Sequence, residues 1–158
     1  MKSLGERFRK FLRLSRRDRV VLGQAWALFL FVELALRLLR FKHVLALCQR
    51  PRKWHNDPAL ASPASLSRLA WLVEVAGHCA PGNVTCLKKA LVLSWLLRKR
   101  GVATTLRIGV SREGGSPKAH AWLDHEGQAT IGLPASGGYE PLVAMEMGGA
   151  RPLFSPDP

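Results

Sequence analysis

The sequence predicts an α+β domain, helices first and a small antiparallel sheet after them. Three observations carry that prediction. Leu66, Leu69, Val73 and Ala76 recur at helical spacing. A second helical stretch, from about Thr85 to Arg100, ends on Gly101. Beyond Gly101 the period changes, and Val102, Thr104, Leu106, Ile108 and Val110 alternate as in a half-buried strand. The length of 158 residues suits one compact domain and is short of two.

Composition is that of a globular chain, with 47% hydrophobic and 22% charged residues. The net charge of +13 is unevenly placed. Residues 1–53 carry 14 Lys/Arg against 3 Asp/Glu, net +11, and residues 54–158 carry 10 against 8, net +2. The chain therefore divides into a basic helical N-terminal region, 1–53, and a nearly neutral domain, 54–158. A nucleic-acid reader with a basic stripe across its whole fold is disfavoured. A basic segment that meets an acidic partner, a membrane surface or RNA is favoured.

Residues 20–39 are mostly apolar, but Gln24, Glu33 and Arg37 interrupt them. A membrane span wants about 20 residues with few or no charges. The unbroken apolar run, Ala25 to Val32, has eight residues, and no small-residue cleavage site follows. The stretch reads as a buried amphipathic helix that serves the core or a docking partner; peripheral membrane association is the alternative. Ser15 and Asp18 have the spacing of a capping box that would start it. Glu33, Arg37 and Arg40 fall on one face and can pair.

Residues 49–65 hold three prolines and no period, as in a linker. Ser62-Pro63 then has the form of an N-cap followed by proline at the first helical position. Ala80-Pro-Gly-Asn83 breaks the helix that follows, and Thr85 or Asn83 caps the next. After the first strand, Arg112 to Lys118 reads as a loop, Ala119 to Asp124 as a second strand, and Gln128 to Leu133 as a third. The tail from Pro134 reads as irregular.

Cys48, Cys79 and Cys86 are too few, and odd in number, for a disulfide scaffold, and a reduced compartment fits them. They form no zinc pattern with the histidines, and no metal or cofactor is expected. Cys86 falls in the first turn of a helix, where unpaired N–H groups carry positive partial charge. A thiolate is stabilised there and becomes a usable nucleophile, and the same N–H groups can serve an oxyanion. Taken alone, Cys86 reads more readily as a small buried hydrophobe. His120 lies on the second strand, sharing a face with Trp122 and Asp124 and flanked by two alanines that leave room for another group. Alone it reads as a core histidine.

In order, Thr85-Cys86-Leu87, Trp95 to Gly101, Leu106-Arg107-Ile108-Gly109-Val110 and Ala119-His120-Ala121-Trp122-Leu123 resemble the transglutaminase-like leader peptidases of lasso-peptide biosynthesis. The resemblance covers about residues 68–133, and the basic front resembles that of stand-alone members. It implies a papain-like cysteine peptidase core that removes the leader from a ribosomally made precursor. Cys86 would be the nucleophile and His120 the base. It also implies a separate leader-recognition protein and an ATP-dependent lasso cyclase as partners, no nucleic acid, and a cytoplasmic place with membrane contact through 1–53 as the variant.

One departure stands out. The family carries an acid 12 positions after the histidine, and here that position is Gly132. With a three-residue hairpin loop at His125-Glu126-Gly127, residue 124 would pair with 128 and 120 with 132. An acid at 132 would then face His120. Asp124, on the same face of the same strand, is the substitute third member, with Glu126 and Glu140 weaker. The alternatives to a leader peptidase are another acyl transferase of the same fold and a non-catalytic scaffold.

Overall fold

The computed structural model describes residues 14–49, 62–111, 117–125, 128–131 and 139–147. Four helices come first: α1 (Arg16–Leu38), α2 (Phe41–Gln49), α3 (Pro63–Cys79) and α4 (Cys86–Arg98). Four strands follow: β1 (Thr104–Ser111), β2 (Lys118–His125), β3 (Gln128–Ile131) and β4 (Glu140–Met147). Of the linker expected at 49–65, Gln49 closes α2 and residues 63–65 open α3; of the loop expected at 112–118, Lys118 opens β2. Residues 50–61 and 112–116, with Arg7, Arg9, Lys10, Arg13, Glu126, Gly127 and Gly132, lie outside the described residues.

Helix α1 begins where its capping box predicts. The Ser15 hydroxyl accepts from the Asp18 N–H at 3.1 Å. Its inner stripe, Ala25, Phe29, Val32 and Ala35, is buried at helical spacing. The helix stops earlier than the apolar pattern suggested. Leu39 turns extended, with its N–H on the Ala35 carbonyl, and α2 starts after Arg40. This turn lets α2 bury Val44 and Cys48, and the Arg98 guanidinium satisfies the end carbonyls Leu47 and Cys48. Arg40 thus leaves the face of Glu33, and Arg37 alone makes the helical pair, at 2.8 Å.

Helix α3 is capped by Ser62 and starts on Pro63, as read from the sequence. Helix α4 runs through the middle of the domain. Its Ala90, Leu91, Val92, Leu93, Leu96 and Leu97 are all buried, which a helix surrounded by other elements requires. Gly101, at φ +74°, ends it, and the Val102 N–H turns back to the Leu97 carbonyl.

The sheet is antiparallel, in the order β3-β2-β1-β4. It departs from the sequence reading in two ways. First, the tail is not all irregular, because β4 pairs along β1. Pro141 and the exposed Leu142 and Val143 hid this strand. An edge position tolerates the proline, which has no N–H to give a second neighbour. Second, the hairpin is tighter than expected. His125 faces Gln128 and Asp124 faces Ala129, leaving two residues between the paired ends. A register shift then sets Leu123 opposite Ile131. The pairing of 124 with 128, on which the expected place of residue 132 rested, is not formed.

Ala121 and Leu123 of β2, Leu106 of β1 and Met147 of β4 share one apolar core with α1, α2, α3 and α4. The charge boundary at 53/54 is no boundary of that core, since Phe29, Val32, Val44 and Cys48 belong to it.

Candidate active site

The start of α4 is built from its cap outward. Thr85 is extended and its hydroxyl accepts from the Lys88 N–H at 3.4 Å, so Cys86 is the first helical residue. The Cys86 side chain is partly buried against the core. Two ion pairs clamp this first turn. Lys88 pairs with Glu33 of α1 and also donates to the Asn83 carbonyl at 2.6 Å. Lys89 pairs with Glu74 of α3 at 2.6 Å. The Lys88 hydrogen bond holds the Glu33 carboxyl below its ordinary range against the opposing effect of burial, and Arg37 helps.

The other cysteines sit differently. Cys48 is buried in α2, and burial pushes its thiol up to about 11 against the opposing pull of Arg98. Cys79 is exposed at the end of α3, and its carbonyl accepts from the Trp26 indole at 3.1 Å.

His120 stands on β2 opposite Gly109 of β1. Ala121 and Leu123 point into the helix-packed core, so alternation puts His120, Trp122 and Asp124 on the other face. There the imidazole meets the Tyr139 ring at 5.2 Å between centroids, inclined by 43°. Trp122 lies 6.5 Å from the same ring. Gly109 makes this cluster fit. A Cβ on it would stand 2.8 Å from Cη2 of Trp122 and would also strike the Glu140 carbonyl. Two other rings are held by backbone carbonyls, His78 on that of Glu74 one turn back and His125 on that of Ala103.

The structure packs α4 on β2, with His120 on the strand face away from the core that Ala121 and Leu123 share with α4. It joins Tyr139 to both His120 and Trp122 ring to ring. Asp124 goes elsewhere. Its carboxylate pairs with Arg107 of β1 at 2.5 Å, and four residues of strand put it about 13 Å from His120. Tyr139 is the neighbour of His120 that periodicity missed, because it precedes an edge strand that a proline disguises. Its one available signal was being the single tyrosine of the chain.

A family model described as the Transglutaminase-like superfamily matches residues 26–144, a span that holds Cys86, His120 and Tyr139. No curated protein and no solved structure matches the chain.

Proposed function

Because the chain belongs to the Transglutaminase-like superfamily, whose chemistry is that of cysteine proteases and acyl transferases, we propose that it is a leader peptidase of lasso-peptide biosynthesis. One observation carries the reading. Cys86 opens a central helix, and the next two elements are the strand Thr104–Ser111 and the histidine-bearing strand Lys118–His125. That order matches the leader peptidases motif by motif.

In the proposed reaction Sγ of Cys86 attacks the carbonyl carbon between leader and core. The N–H groups of the first turn of α4 stabilise the oxyanion. The imidazolium of His120 protonates the departing core amine, and the C–N bond breaks. The leader is then a thioester on Cys86. Water attacks that carbonyl, His120 takes its proton, and the leader acid leaves with the thiol restored. This requires imidazole and Sγ within hydrogen-bond reach during turnover, and because His120 is on the strand face away from the core that Cys86 packs against, it requires β2 or the start of α4 to shift. With Asp124 on Arg107, the pair works as a dyad, since a thiolate–imidazolium pair supports itself better than a serine triad does without its acid. The partners are the precursor leader, a separate leader-recognition protein and an ATP-dependent cyclase, in the cytoplasm.

The test is intact mass of a precursor peptide incubated with the chain and its recognition protein. Cleavage at one bond, lost in Cys86→Ala, supports the proposal. An amine added to the leader makes the chain an acyl transferase. Binding without a mass change makes it a non-catalytic scaffold, the reading that Gly132 favours.

A further inference from the structure

Helix α1 is apolar on two faces. The inner one is in the core, while the outer one is largely open among the described residues, with only the Phe31 ring meeting Trp95 of α4 edge-on. Val20 is 59% exposed, Leu34 56% and Leu38 73%, and Leu30 and Phe31 lie exposed between them. This stripe runs from Val20 to Leu38, about 27 Å at the helical rise. Leu39 and Phe41 extend it past the helix end. Exposed apolar surface of this extent marks an interaction face.

Charge selects the partner. Arg16 and Arg17 bracket the stripe at one end, and Arg37, Arg40 and Lys42 at the other, all exposed. The two acids of α1 are both turned to the protein. Asp18 pairs with Arg68 of α3 at 2.9 Å, and Glu33 with Lys88 of α4. The outer face therefore offers apolar side chains and cations and no acid. The preceding sequence adds Arg7, Arg9, Lys10 and Arg13. An apolar strip with cations at both ends suits a surface that is negative everywhere above an apolar layer. An acidic protein would need its carboxylates set against two cation groups some 27 Å apart.

We infer that the outer face of α1 docks in the plane of an anionic lipid surface. The helix is long and apolar enough to cross a membrane. It lies on the surface instead, because Ala25, Phe29, Val32 and Ala35 hold its other face in the core. The inference stands apart from the peptidase reading, which does not require it.

Co-sedimentation of the full chain with vesicles tests it. The protein pellets with phosphatidylglycerol–phosphatidylcholine vesicles and far less with phosphatidylcholine alone, and the binding falls as salt rises. Leu34→Glu with Leu38→Glu lowers partition by roughly tenfold or more. Replacing Arg16, Arg17, Arg40 and Lys42 by Gln lowers it by roughly fivefold per charge. Circular dichroism confirms that each variant keeps its helices. Folded protein that stays in the supernatant with anionic vesicles overturns the inference. So does binding that ignores the leucine changes. Self-association or capture by an acidic protein, abolished by the same changes and without vesicle binding, assigns the face to that partner and overturns it too.

Discussion

The Tyr139 ring packs against the His120 imidazole at 5.2 Å between centroids, and Trp122 lies 6.5 Å from the same Tyr139 ring. Tyr139 precedes β4, the edge strand, while His120 is on β2 two strands away. The contact reaches over β1, where Gly109 has no side chain to block it. In the proposed mechanism Tyr139 positions the histidine. Tyr139→Ala should lower leader cleavage by roughly tenfold, and Tyr139→Phe should restore most of it, because the ring does the packing. The His120 ring-proton NMR shifts should move in Tyr139→Ala and stay in Tyr139→Phe. Unmoved shifts with reduced cleavage would mean that Tyr139 acts on substrate instead.

Gly109 should tolerate no side chain. The added Cβ of Gly109→Ala meets both Trp122 and the β4 backbone, and the latter cannot move without disturbing the ladder. Overpacking of this kind costs about 1–3 kcal/mol. The urea midpoint should fall accordingly, and the Tyr139–His120 ring contact should loosen with it. A midpoint unchanged from the parent would show that β4 shifts freely.

Asp124 and Arg107 should behave as one unit. Asp124→Asn and Arg107→Gln each break the same cross-strand pair, on side chains 12% and 35% exposed. The two variants should lose similar stability, about 1 kcal/mol or less, and the double variant should lose little more. Cleavage should stay within about threefold of the parent in both. A loss of about tenfold in Asp124→Asn, absent from Arg107→Gln, would return Asp124 to the catalytic machinery.

Cys48 should be silent to alkylating agents at neutral pH and react on unfolding, while Cys79 and Cys86 react in the folded chain. Its thiol is raised from 9.0 to about 11 by burial. The unfolded chain therefore loses this proton first. The stabilisation is complete below pH 9 and is lost as pH rises toward 11. The urea midpoint should drop over that window, and less so in Cys48→Ala. Equal drops in both would place the alkaline sensitivity elsewhere.

Much of this domain is legible in the sequence where local signals agree. Ser15, Ser62-Pro63, Thr85 and Gly101 mark helix ends by their own chemistry, and each does so in the structure. The alternation from Thr104 gives β1, and Ala119 to Asp124 gives most of β2. What was not legible depends on neighbours distant in sequence. The strand at Glu140 exists because β1 offers it an open edge, and its own residues argue against it. The β2–β3 register depends on a shift at Leu123/Asp124 that no turn residue announces. Asp124 looked available for His120 because sequence shows a shared face, while the Arg107 that takes it is 17 residues back. The outer stripe of α1 looked like core because hydrophobicity alone does not say which face is covered.

In the proposed reaction Cys86 carries the leader as a thioester. The direct measurement is rapid acid quench of the chain with its precursor, followed by intact and peptide mass spectrometry. The quenched protein should be heavier by the leader acyl group, with the added mass on the peptide that contains Cys86 and none in Cys86→Ala. Cleavage that proceeds in Cys86→Ala, or an adduct on Cys79, would contradict it.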